Sequence, residues 1–296
     1  MVAYNSSNMN RLKFVGSFLA WTLAASAATH PEMLVSTDWL AQHLGDAKLA
    51  ILHVSANRTA YDAGHIPGAH FVPLSDIAVT RNGVPNELAP DADLKRVFEA
   101  AGVSDDTRVV LYGDTSVLPA TRAFLTLDYV GHTNHAMLDG GLGKWTSEGR
   151  TLTKDAPATT AGHLTLHPKP ELVTQFEQVS ELSKRPSSAA QSPVLLDVRP
   201  ATDFRGEKGW HIATSSNAYW MDSQMSRENQ TLKPEADLRK MYETAGVKPG
   251  TPVVTYCNSG MQASQAYFTL KYLGYDVKMY DGSMSEWTLK GAPVEK

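Results

Sequence analysis

Hydrophobic and polar positions along this chain follow two alternating periods. Short runs of β-branched, aliphatic or aromatic residues at 49–54, 108–112, 194–198 and 253–256 read as strands buried on both faces. Elsewhere apolar positions recur three or four apart. Residues 91–101 predict one amphipathic helix, and Ala120, Ala123, Leu127 and Val130 mark the inner face of a second. Ala263, Ala266, Leu270 and Leu273 mark a third, with Gly274 placed to end it. Strands alternating with helices predict an α/β fold. Its parallel sheets carry helices on both faces, and loops at the strand C-termini form the site.

The pattern occurs twice. Pro90-x-Ala92-Asp93-Leu94 returns as Pro234-x-Ala236-Asp237-Leu238, and Glu99-x-Ala101-Gly102-Val103 as Glu243-x-Ala245-Gly246-Val247. Val109-Val110-Leu111-Tyr112 then matches Val253-Val254-Thr255-Tyr256. The helix face at Ala120 matches that at Ala263, and Asp139-Gly140 and Trp145 match Asp281-Gly282 and Trp287. The offset drifts by only two residues across this stretch, which indicates a duplicated domain; a repeat this long is not a solenoid of small units. The expected division is a leader at 1–27, a first domain at 28–148, a linker at 149–170 rich in Thr, Ala, Gly and Pro, and a second domain at 171–296. The length of 296 residues suits two domains of about 130 each.

Composition changes this picture little. A 42% hydrophobic, 20% charged chain of net charge −4 fits soluble globular domains and gives no reason to expect nucleic acid or an acidic membrane surface as partner. The N-terminus differs. Arg11 and Lys13 precede an apolar run at 14–23, followed by the small residues Ala25-Ser26-Ala27. That is the layout of a secretory signal peptide, too short to span a membrane comfortably, so the expectation is a periplasmic or secreted protein with no anchor after cleavage. Met9 is an equally suitable start, and a first core helix is the competing reading of the run.

One cysteine in an exported chain has no intramolecular partner and reads as a reactive thiol. Cys257 lies in Thr251-Pro-Val-Val-Thr-Tyr-Cys-Asn-Ser-Gly-Met-Gln-Ala263, between the last predicted strand and its helix. Backbone N–H groups and the helix dipole there point at the sulfur, which predicts a thiol pKa lowered from ~8.5 towards roughly 3.5–7.5. Gly260 lets the backbone curl round the sulfur. A buried cysteine more often packs as a small hydrophobe; strand, loop and helix converging on this one favour chemistry.

The loop resembles the active-site loop of the rhodanese sulfurtransferases, in which a Cys opens a six-residue loop and carries sulfur as a persulfide. Tyr61-x3-His65-Ile66-Pro67-Gly68-Ala69-x2-Val72 fits that family's N-terminal signature, and Tyr280-Asp281-Gly282-Ser283-Met284-Ser285-Glu286-Trp287 fits the second except at Met284, where Trp or Phe is usual. The match covers nearly everything after residue 30. It implies two rhodanese-like domains and catalysis by Cys257. The first domain has Gly113 followed by Asp114 where Cys257 stands, in a loop one residue longer, which implies an inactive partner shaping the cleft. His65 and His211 recur in both halves, so their role is packing or hydrogen bonding.

The resemblance further implies a double displacement. Cys257 takes sulfur from a small donor and passes it to a thiophilic acceptor such as cyanide or a thiol, with the amides of Asn258, Ser259, Gly260, Met261 and Gln262 holding the anion and no cofactor or metal. Cys and His spacing offers no metal-ligand motif. Arg199, in the turn Asp197-Val198-Arg199, either holds an anionic substrate or pairs with Asp203 or Glu207. The loop has neither the basic residues of thiosulfate-specific members nor the Gly-Ser-Gly of mercaptopyruvate-specific ones. Where the latter place a carboxylate-binding Arg stands Asp203, and the loop supplies no cation, so thiosulfate is the expected donor. The alternatives are 3-mercaptopyruvate and a non-catalytic persulfide carrier or binding module. A Cys-based phosphatase needs an Arg where Ala263 stands.

Overall fold

A computed structural model describes residues 28–158, 160–185, 192–206 and 209–296; the expected leader at 1–27 and Glu207 lie outside them. The first unit runs β1 (Leu34–Val35), α1 (Thr37–His43), β2 (Leu49–Ser55), α2 (Thr59–Ala63), β3 (Ala69–Pro73), α3 (Leu74–Ile77), β4 (Ala78–Arg81), β5 (Val84–Leu88), α4 (Asp91–Ala100), β6 (Arg108–Tyr112), α5 (Leu118–Tyr129), β7 (His135–Leu138) and α6 (Gly141–Ser147). The second runs β8 (Val173–Thr174), α7 (Phe176–Leu182), β9 (Val194–Asp197), α8 (Ala201–Phe204), β10 (Ser216–Asn217), α9 (Glu235–Thr244), β11 (Val253–Tyr256), α10 (Met261–Tyr272), β12 (Val277–Tyr280) and α11 (Ser283–Leu289).

Each unit holds a five-stranded sheet, ordered β1-β7-β6-β2-β3 and β10-β9-β11-β12-β8, and every pair within them is parallel. Central strands such as β6 and β11 are buried along nearly their whole length, because helices cover both faces. Leu40 and Trp145 belong to an outer core in the first unit, Val179 and Trp287 to its counterpart in the second. The largest core runs through both units. Among its described residues, segment 149–170 forms no helix or strand before Pro170 beyond the isolated bridge of Thr153 to His65, and it is tied to the first unit, for example by Gly162 N–H to Glu99 O and His167 N–H to Val130 O.

The duplication extends to single bonds. Tyr112 Oη accepts from Ile66 N–H at 3.3 Å, and Tyr256 Oη from Ile212 N–H at 3.2 Å. Trp145 Nε1 donates to Thr151 O and Trp287 Nε1 to Pro293 O, both at 2.9 Å. His65 stacks on Tyr61 and bonds its carbonyl; His211 stacks on Phe204 and bonds its carbonyl. Both imidazoles are packing elements.

One expectation about the helices needs correcting. The 3–4 spacing at Ala263 implies an amphipathic helix, yet α10 is buried all round from Ala263 to Leu270, including Ser264, Gln265 and Thr269. Its second face meets α5 of the other unit. Thr121 Oγ1 lies 3.0 Å from Ser264 Oγ, Phe124 meets Phe268 edge-on at 4.9 Å, and Tyr267 Oη donates to Asp128 at 2.9 Å. The polar positions face a partner domain, not water.

Candidate functional site

Cys257 follows β11 directly and is 1% exposed. Three residues later Gly260 takes φ +80°, which turns the chain into α10; a side chain there would stand 2.9 Å from Asp281 Oδ1 and 3.2 Å from Arg122 Nη1. Glycine is therefore required twice over, for backbone angle and for space. The backbone N–H groups of Ser259, Gln262 and Ala263 act on the sulfur in favour of the thiolate. Burial opposes them and wins: the Cys257 thiol is pushed above its ordinary value. This corrects the lowered pKa expected from the loop's position. The amides and helix terminus are present, but the sulfur is fully desolvated and Asp197 adds a nearby negative charge.

The predicted loop residues come together around the sulfur, each with a distinct task. Ser259 and Gln262 supply amides. Gly260 N–H and Cys257 N–H both donate to Ser283 Oγ, at 3.2 and 3.1 Å. Asn258 O accepts from Ser285 N–H and Oγ, at 2.9 and 2.8 Å. Met261 opens α10, and its carbonyl accepts from Ser264 Oγ. Arg199 is 4% exposed and gives Nε and Nη2 to Asp197, Nη2 to Trp210 O and Nη1 to Asn258 Oδ1 at 3.3 Å. Its ion-pair partner is Asp197 of its own turn; Asp203 contributes only a longer-range attraction.

Four further side chains were not singled out as site residues by the sequence. Ser283, at φ +50°, bridges two loop amides. The other three act at the domain interface. Asn86 Nδ2 donates to Ser259 Oγ at 3.0 Å, Leu88 N–H to Asp281 Oδ2 at 2.9 Å, and Arg122 grips both oxygens of Asp281 at 2.5 and 3.0 Å while fully buried. Ser283 and Asp281 lie within a quoted signature. Asn86 and Arg122 sit in the unit without a thiol, where nothing local marks them.

The equivalent loop of the first unit is built differently. A Cβ at Gly113 would stand 2.1 Å from Ser116 O. The Asp114 carboxylate occupies the loop, accepting from Thr115 N–H and, at 2.8 Å, from Ser55 Oγ, and these bonds hold its pKa low against burial. His53, at the place of Asp197, lies 3.7 Å from it, and burial lowers its pKa to about 4. This loop already holds an anion of its own.

A strand–thiol–helix loop, duplicated with one thiol lost, defines a class of protein. The sequence model of the rhodanese-like domain matches residues 36–148 and again 177–290, and the chain belongs to the rhodanese family of sulfurtransferases. Among relatives, the "Sulfur carrier protein TtuD" of Thermus thermophilus is 34% identical over 283 residues, 90% of this chain and 98% of that protein. A "Putative thiosulfate sulfurtransferase" of Saccharopolyspora erythraea is 31% identical over 281 residues, 89% and 96% of the two chains. SseA from Escherichia coli, described as a 3-mercaptopyruvate sulfotransferase, superposes with a TM-score of 0.74 at 26% identity, covering 85% of this chain and 98% of that one. EanB with ergothioneine, at 22% identity and a TM-score of 0.79 over 90% of this chain and 70% of that one, shares the fold.

Proposed function

We propose that this protein moves a sulfane sulfur from thiosulfate to a thiophilic acceptor through a persulfide on Cys257. The Cys257 thiolate attacks the outer sulfur of thiosulfate. The donor's S–S bond breaks, its electron pair leaves with sulfite, and a new S–S bond forms on Cys257. Cyanide or a thiolate then attacks the terminal sulfur and returns Cys257 as thiolate. The observation that carries this reading is the convergence of the Ser259, Gln262 and Ala263 amides on one buried sulfur at the start of α10. The persulfide's terminal sulfur spreads charge onto that cradle, and Arg199 holds Asn258 in place.

Mass spectrometry after incubation with thiosulfate is expected to find one extra sulfur, on Cys257 and absent in Cys257→Ser. Sulfite release and thiocyanate formation at wild-type rates in Cys257→Ser would sink the assignment. A second reading has support from the 34% identical relative named a sulfur carrier. In that case the persulfide forms once and persists, and thiocyanate does not accumulate beyond one equivalent. Export is part of the same proposal, supported by the pattern at 1–27; fractionation of cells expressing a C-terminally tagged chain tests it.

A further inference from the structure

Beside the sulfur loop, a cleft of about 260 Å³ opens between the two units. Thr115, Ser116 and Val117 of the first unit form one wall. Tyr219, Trp220, Met221, Gln224, Arg227 and Gln230 of the second form the other, and Gln262 of the sulfur loop reaches in from α10. Gln262 joins cleft to chemistry, since it lines the cleft and its own N–H is one of those favouring the Cys257 thiolate.

The charge of this cleft is one-sided, and two of its three unpartnered buried polar groups are donors, the third being the acceptor Gln262 Oε1. No Asp or Glu lines it, whereas the larger cleft nearby carries Glu87, Asp91, Asp281 and Glu286. Arg227 is exposed, and among the described residues it has no ion-pair or hydrogen-bond partner. The turn bearing it is fixed: Met225 N–H bonds Thr231 O, Ser226 N–H bonds Asn229 O, and Leu232 N–H reaches Asp139 of the first unit at 3.0 Å. Two donors in the same wall, Trp220 Nε1 and Gln224 Nε2, are buried without a partner. Leaving such donors unpaired costs free energy, and native proteins rarely do so without a ligand or water to take them. A lone cation, two unspent N–H donors and no carboxylate outweigh the single unpaired acceptor, Gln262 Oε1, and suit an oxyanion.

We infer that this cleft is the subsite for the oxyanion group of the sulfur donor, with Arg227 as the residue that sets donor affinity and specificity. The inference rests on the proposed sulfur transfer at Cys257 and adds to it the cation that the loop itself lacks. It also explains how Asp203 is tolerated: the anion is met from the turn at Arg227, and Asp203 does not line this cleft. At about 260 Å³ the cleft is larger than thiosulfate needs, so donors with an organic body also fit. An organic thiosulfonate reacts in the same sense: its outer sulfur goes to Cys257, and the electron pair of the broken S–S bond leaves with a sulfinate.

The test uses the full chain, with thiosulfate as probe. In a Cys257→Ser background, which binds without reacting, thiosulfate affinity is read by calorimetry with and without Arg227→Gln. Losing one charge-assisted contact is expected to weaken binding roughly ten- to a hundredfold, with Arg227→Lys recovering part of it. In the thiol-bearing chain Arg227→Gln should raise KM for thiosulfate by a similar factor while kcat moves far less. Equal affinities in the two serine chains, with melting temperatures matched, would overturn the inference whatever the fate of sulfur transfer. If Arg227-dependent binding holds but the thiol chain forms no persulfide, the subsite stands and the proposed reaction falls.

Discussion

At Cys257 two opposing effects act on one atom. Backbone N–H groups favour the anion; burial disfavours it more, and the thiol is raised. A raised thiol is mostly protonated at neutral pH, so the reactive fraction grows about tenfold per pH unit until the folded pKa is passed. The rate of persulfide formation under limiting thiosulfate should therefore climb between about pH 6 and about pH 9. A plateau reached by about pH 7 would restore the lowered pKa that loop position alone suggests. Stability carries the same sign. The folded chain holds this proton more tightly than the unfolded one, so the contribution is complete below the unfolded pKa and is lost as pH rises through the folded pKa. Position was legible in the sequence because strand, glycine and helix patterns are local. Desolvation was not, because it depends on helices and strands distant in the chain.

Among the elements, the two loops that follow β6 and β11 have diverged in what they hold, a carboxylate in one and a thiol in the other. Strands and helices were legible from hydrophobic period: β6 covers its expected residues, β2 ends one residue later than expected, and α5 starts two residues earlier. The absence of Cys at Gly113 was also plain. What filled the place was not, since Asp114 accepts from a serine on β2. Restoring a thiol there should fail for a steric reason as well as an electrostatic one. A Cβ at Gly113 meets the Ser116 carbonyl at 2.1 Å, so Gly113→Cys must displace the loop, and Asp114 opposes a second anion. The expected cost is roughly 1–3 kcal/mol, the usual range for overpacking. On a Cys257→Ser background, Gly113→Cys should take up no sulfur from thiosulfate by mass spectrometry. Uptake at a rate near that of Cys257 would show that the first loop is still a working cradle.

The whole molecule ties the unit without a thiol into the sulfur loop of the other. The exchange is nearly reciprocal: Leu88 N–H reaches Asp281 across the interface, and Leu232 N–H reaches Asp139 the other way. It is broken at one position. Arg122 grips Asp281, while its counterpart Gln265 bonds Ser223 and Thr269 instead. At this position the active half thus receives a fully buried guanidinium from its neighbour, whereas the cation that crosses the other way, Lys271 to Asp128, stays partly exposed. Two domains were legible in the repeat, but not this asymmetry, because Arg122 and Asp281 are 159 residues apart and share no motif. Arg122→Leu leaves the Asp281 carboxylate buried with only the Leu88 amide. It should cost roughly 3–5 kcal/mol, the range for breaking a buried pair from one side. Adding Asp281→Asn removes the stranded charge while keeping an acceptor for Leu88 N–H. The double variant should then recover much of the loss, a non-additivity readable by urea denaturation. It should regain sulfur uptake less completely than stability, because no guanidinium then backs Gly260. Equal destabilisation of the single and double variants would mean that Arg122 acts by filling space, and that the charge it brings across the interface is incidental.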